Sequence, residues 1–232
     1  MRALASMLAA NRTLRALCIG DAHFGDSNAT LLAEGLRDNS TLHELDLSSC
    51  GVGPAGATAL ADALSRQGDA PAVAATGLQT LDLSLNPLGC AGAAAIAASI
   101  AGLRHVNLAG CDIGSEGAGA LGSAVGSAPA RSQQLYTLDL SSNSLGHSGG
   151  QALAAGFTEG GPSPASPTEL ILADTAVGDV AVEALMRALG DSSGGGAGTS
   201  TLEKLDLSRC DLQGSAAAEA VRQVSAGYRL LS

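Results

Sequence analysis

A single phrase recurs seven times along this chain of 232 residues, and it leaves few folds open. It reads Leu-x-x-Leu-x-Leu-x-x-(Asn/Cys)-x-Leu, then Gly. The clearest copy is Leu78, Leu81, Leu83, Asn86, Leu88 and Gly89. Three more run Leu42-Leu45-Leu47-Cys50-Val52, Leu103-Val106-Leu108-Cys111-Ile113 and Leu135-Leu138-Leu140-Asn143-Leu145. Toward the ends stand Leu14-Leu17-Ile19-Ala22-Phe24 and Leu202-Leu205-Leu207-Cys210-Leu212. A degraded copy, Leu170-Leu172-Thr175-Val177, has Pro167 at its first position. The Leu-x-Leu core alternates with period two, which predicts a short strand with one face inward. The Asn or Cys turns inward after the strand, where its polar atoms satisfy backbone groups of neighbouring turns. The Gly permits a sharp change of direction.

After each Gly comes a second module, Gly-x-x-(small)-x-x-x-Leu-x-x-x-Leu. Its apolar pairs are Leu32/Leu36, Leu60/Leu64, Ile96/Ile100, Leu121/Val125, Leu153/Phe157, Leu185/Leu189 and Ala220/Val224. A spacing of four puts each pair on one face of a helix. The small residue (Gly56, Gly92, Gly117, Gly149, Ala181, Ala216) lets the helical and strand layers approach closely. A strand, a turn and a helix per repeat, all in one direction, predict an α/β solenoid: a curved parallel sheet on the concave side, helices on the convex side. The pattern resembles the leucine-rich repeat fold, and specifically its ribonuclease-inhibitor-like class. The expected organisation is one array over residues 1–232, about seven full repeats with partial repeats at both ends.

Length changes concentrate in the helix-to-strand connection. The step from second helical position to next strand Leu is 6 residues from Leu36 to Leu42, but 14 from Leu64 to Leu78 and 13 from Leu189 to Leu202. The longer connections (residues 68–77, 126–134, 160–167 and 191–200) are rich in Gly, Ser, Pro and Ala and read as mobile rim loops. Two of the three N-x-T sequons, at Asn11 and Asn39, fall at the same repeat position just before a strand. Neither end carries a recognisable polar cap, which a solenoid needs for solubility. The expectation is a fragment of a longer array or open ends that self-associate.

Chemistry is hard to find. Acids outnumber bases 22 to 12, for a net charge of −10, which excludes nucleic acid and anionic membrane surfaces as main partners. The five cysteines contain no CxxC pair, and none of the four histidines lies at ligand spacing from another His or Cys, so no metal and no cofactor are expected. There is no G-x-S-x-G elbow, and the Gly194–Gly198 run lacks the G-K-[ST] ending of a phosphate loop. Cys50, Cys111 and Cys210 occupy the inward ladder position and read as inert buried thiols; Cys18 should face the concave surface. Without a secretory signal or an apolar span the expected location is cytoplasmic, with the cytoskeleton or a ciliary axoneme as alternatives.

The concave face is legible between the second and third Leu of each phrase: Cys18, Asp46, Asp82, Asn107, Asp139, Ile171 and Asp206. Neighbouring parallel strands lie about 4.8 Å apart, so Asp46 and Asp82 should stand side by side, with Asp139 and Asp206 continuing an interrupted acidic row. Glu44, Glu169 and Asp174 add charge nearby. One reading is a dock for a basic protein segment; the other is that Leu-Asp-Leu-Ser is simply how such families write the strand. The resemblance implies a non-catalytic protein-interaction or scaffold module. It also brings two alternatives, a GTPase-activating protein of the Ran type and a sensor-repeat fragment of a NOD-like receptor.

Overall fold

The computed structural model describes residues 1–68, 77–128, 134–159, 166–190, 202–210, 212, 214 and 229–231. The expected rim loops and the last helical pair, Ala220/Val224, lie largely or wholly outside these residues. Helices and three-residue strands alternate. The helices are α1 (Arg2–Ala10), α2 (Gly25–Arg37), α3 (Pro54–Gly68), α4 (Gly89–Ala97), α5 (Ser115–Gly126), α6 (Gly146–Glu159) and α7 (Asp179–Gly190). The strands are β1 (Ala16–Cys18), β2 (Glu44–Asp46), β3 (Thr80–Asp82), β4 (His105–Asn107), β5 (Thr137–Asp139), β6 (Glu169–Ile171), β7 (Lys204–Asp206) and β8 (Arg229–Leu231). All eight strands form one parallel sheet in chain order, with each central Leu or Val beside its counterpart, from Leu17 against Leu45 to Leu205 against Leu230. A helix is about 10 Å across and a strand spacing about 4.8 Å, so stacking one of each per repeat bends the array with the sheet inside.

The core is a ladder of aliphatic rungs. Leu45, Leu81, Val106, Leu138 and Leu170 are buried from the strands; Leu32, Leu60, Ile96, Leu121, Leu153 and Leu185 meet them from the helices. Leu14, Leu17 and Ile19 of the first repeat are only half-buried, because β1 has a neighbour on one side alone. Small residues bring the layers together as their spacing predicts. A Cβ on Gly56 would stand 2.9 Å from Val52 Cγ1, and one on Gly117 would stand 2.9 Å from Ile113 Cγ2. The closest approach is between α5 and α6, where a Cβ on Gly126 would fall 2.1 Å from the Gly156 carbonyl oxygen.

Asn and Cys form an alternating ladder inside the turns. Asn86 Oδ1 accepts the amides of Cys50 (3.0 Å) and Val52 (2.8 Å) in the preceding repeat, while its Nδ2 donates to the carbonyls of Leu47, Leu83 and Ser84. Asn143 repeats the pattern on Cys111 and Ile113. A Cys at this position offers only its Sγ–H, given to the preceding repeat at Ile19 O (Cys50, 3.3 Å), Leu83 O (Cys111, 3.0 Å) and Leu172 O (Cys210, 3.1 Å). The turns ahead of Cys50, Cys111 and Thr175 compensate locally: the amides of Phe24, Leu88 and Leu145 fold back onto the carbonyls of Ala22, Asn86 and Asn143. Cys50 and Cys111 are buried as expected, whereas Cys210 is half-buried. Burial pushes the Cys50 thiol up, and raises that of Cys111 to about 11 despite a backbone hydrogen bond that opposes it.

Two expectations are refined. Of the Gly residues that open the helical modules, Gly25, Gly89 and Gly146 have positive φ, but Gly53, Gly114 and Gly178 do not. Side-chain room decides at Gly53 and Gly178, where a Cβ would stand 3.0 Å from Asp26 Oδ2 or 2.2 Å from His147 Nε2. The two sequon Asn residues organise the strand entrance. Asn39 is buried, takes the amides of Thr41 and Leu42 on Oδ1, and donates to the Leu8 carbonyl.

Candidate functional site

The exposed sheet face consists of two columns of outward side chains flanking the buried central rung. The first column runs Ala16, Glu44, Thr80, His105, Thr137, Glu169 and Lys204; the second runs Cys18, Asp46, Asp82, Asn107, Asp139, Ile171 and Asp206. The row read from the sequence is therefore in register, with Asp46 beside Asp82 and Asn107 between Asp82 and Asp139. Cys18 is exposed at its start.

Each acidic side chain in the row has a local task. Oδ1 of Asp46, Asp82, Asp139 and Asp206 accepts the amide two residues on, from Ser48, Ser84, Ser141 and Ser208, at 2.8–2.9 Å. Three of those serines add their hydroxyl at 2.6 Å. Asn107 does the same for Ala109 at 3.1 Å, and its Nδ2 donates to Asp82 Oδ2 at 2.8 Å. The second oxygens of Asp46, Asp139 and Asp206 take no protein donor among the described residues.

The flanking acids divide. Glu44 is exposed on β2. Glu169 is half-buried and paired: it receives Lys204 Nζ on Oε1 and the Thr137 hydroxyl on Oε2 at 3.4 Å. It therefore adds no unbalanced charge to the face. Asp174 stands off the sheet, in a left-handed turn (φ 58°) at the strand C-terminal rim, where it lines a shallow groove with Thr175, Arg209 and Cys210.

A third row escaped the sequence reading. The residues just ahead of the strands, Arg15, His43, Gln79, Arg104, Tyr136, Thr168 and Glu203, continue the backbone ladder, as in the Tyr136 amide bonded to the Arg104 carbonyl. Within it the Arg104 guanidinium lies 5.4 Å from the Tyr136 ring centroid and donates to its hydroxyl at 3.2 Å, with the His105 ring 5.6 Å away. The signal was present: the first x of Leu-x-x-Leu spells this row.

Among the described residues no group of three or more His, Cys, Asp or Glu is arranged to hold a metal ion, and no helix is long and apolar enough to cross a membrane. Five segments match the Leucine Rich repeat family: residues 38–61, 76–97, 103–122, 132–154 and 200–218. No curated protein matches the chain.

Proposed function

We propose that this chain, with five segments that match the Leucine Rich repeat family, is a non-catalytic interaction module whose exposed sheet face binds a protein partner, with Asp46, Asp82, Asp139 and Asp206 docking a basic segment. One observation carries the reading. A single register column holds four carboxylates, and in three of them one oxygen builds the turn while the other has no protein donor among the described residues. Apart from Ile171, the remaining positions of the two columns from β1 to β7 are small or polar, which suits extended electrostatic contact.

The test exploits Asn107, which shows that an amide serves the same turn. Asp46→Asn, Asp139→Asn and Asp206→Asn together remove three charges and keep the Oδ1 acceptors. Asp82 is left alone because its Oδ2 receives the Asn107 amide. Wild type and triple variant are used to capture partners from a lysate of the source cell at low and high salt. The proposal expects a basic partner that wild type holds at low salt and the variant loses. Equal capture by both proteins defeats it. Recovery of a small GTPase whose hydrolysis the chain accelerates would replace it with the Ran-type alternative.

A further inference from the structure

A second feature of the same face has the opposite character and stands independently of the acidic row. We propose that Tyr136, held between Arg104 and His105, anchors an acidic segment of a protein partner at the N-terminal rim of the sheet.

Large aromatic side chains are scarce here, and their placement is informative. Phe24 and Phe157 are 5% and 3% exposed, whereas Tyr136 is 38% exposed. It is also held. Arg104 lies over its ring and donates to its hydroxyl, and His105 packs on it with the ring planes 35° apart. His105 is fixed in turn by a chain of hydrogen bonds that crosses β4 to β7. Lys204 donates to Glu169, and an ionised carboxylate can only accept, so the Thr137 hydroxyl proton is committed to Glu169 Oε2. The Thr137 oxygen must then accept from His105 Nδ1–H, at 3.1 Å. Neutral His105 consequently carries its lone pair on Nε2, and its ring cannot turn without breaking the chain. Tyr and Arg are the side chains that most often dominate interface energetics. An anchor already locked in place also avoids much of the ordering cost of binding.

Charge selects the occupant. In strand order the rim row begins Arg15, His43, Gln79, Arg104, Tyr136, with two guanidinium groups and no carboxylate. The acidic row lies three residues further along each strand, about 10 Å away. Between the two, from β1 to β5, the first column carries one carboxylate, exposed Glu44, two strands from Arg104, so the rim around Arg104 and Tyr136 is basic and aromatic. A segment presenting one or two carboxylates beside an apolar group fits the rim. A nucleic-acid strand fits less well, because its continuous phosphates would run beside that row on a chain of net charge −10.

The test is an NMR titration of the full chain with decaglutamate, decalysine and decauridylate as separate probes. Decaglutamate is expected to shift the Tyr136 and His105 ring resonances saturably. Arg104→Gln should weaken its Kd by about tenfold, Tyr136→Ala by at least as much, and Tyr136→Phe by less, since it keeps the ring. All three variants should melt as wild type does, because the side chains stand outside the core. Silence of both rings toward decaglutamate, equal affinity in every variant, or saturable shifts with decauridylate alone would overturn the proposal, the last in favour of a single-stranded nucleic-acid site. Decalysine reports separately on the Asp46 and Asp139 amides, so a failure at the rim is distinguishable from a failure of the acidic dock.

Discussion

Removing Asn86 tests the reasoning about the turn ladder most directly. Its side chain is 1% exposed and makes five hydrogen bonds, to the amides of Cys50 and Val52 and the carbonyls of Leu47, Leu83 and Ser84. Two of the carbonyls have other partners: Leu83 O receives the Cys111 thiol and Ser84 O receives the Ser49 amide. Asn86→Ala therefore strips its hydrogen-bond partner from three groups of the preceding repeat, the Cys50 and Val52 amides and the Leu47 carbonyl. A buried polar group left unsatisfied costs about 1–3 kcal/mol, and some relaxation is expected, so the total should be about 3–5 kcal/mol. The repeat also supplies its own milder substitution. At Cys111 the thiol keeps the bond to the preceding carbonyl, and the Leu88 amide folds back onto Asn86 O at 2.8 Å. Asn86→Cys should find the same arrangement and cost only about 1–2 kcal/mol. Urea denaturation gives the stabilities, and hydrogen exchange at the Cys50 and Val52 amides gives the local effect, which matters in a solenoid whose repeats need not unfold together. An Ala variant within about 0.5 kcal/mol of wild type, or a Cys variant as costly as Ala, would refute the account of the ladder.

Two further expectations concern packing and the thiols. Gly156→Ala places a methyl 2.2 Å from the Ser123 amide nitrogen and 2.4 Å from the Gly122 carbonyl carbon, both backbone, so it should cost at least about 1–3 kcal/mol. Gly102→Ala, with nothing within 4 Å of the new Cβ, is the neutral comparison in the same thermal melt. For the thiols, burial raises Cys111 to about 11, so between the ordinary value near 9 and that value the folded chain holds a proton that the unfolded chain releases. The contribution of this thiol to stability is thus full below about pH 9 and falls as pH rises toward 11. Cys111→Ala should flatten the measured pH slope across that window; an unchanged slope would contradict the assignment. At pH 8 a thiol reagent should label exposed Cys18 in the folded chain, and Cys50 and Cys111 only after unfolding.

Legibility followed apolar spacing. The strand rungs, the helical pairs and the inward Asn and Cys positions repeat at fixed intervals and are spelled by residues with few alternatives. Backbone requirements were hidden. The turn after each strand needs a left-handed residue, and the positions that supply it are Asp21, Ser49, Leu85, Gly110, Ser142, Asp174 and Arg209, only one of them glycine. Contacts between repeats were hidden as well. Asp26 Oδ1 accepts the amides of Gly53 at 2.6 Å and Gly56 at 2.9 Å, so one repeat caps the α3 helix of the next across 27–30 residues of sequence. The Arg104–Tyr136 contact spans 32 residues for the same reason. Such pairs become visible only once the register is known.

The same register separates what the turn needs from what it does not. Within the row Ser follows two residues after Asp at 46, 82, 139 and 206, and Ala follows where the row holds Asn107 or Ile171. Asp and Ser are thus a local unit, joined by the amide bond in all four copies and by the hydroxyl in three. That explains the repetition of the pair but not the charge. Asn107 closes its turn with an amide oxygen, and Ile171 occupies the column with no side-chain oxygen at all. The fold therefore accepts neutral residues at this position, yet four of the seven row positions from Cys18 to Asp206 carry a carboxylate. A charge that the turn does not require, repeated in register on an exposed sheet, is the feature on which the proposed docking of a basic segment rests.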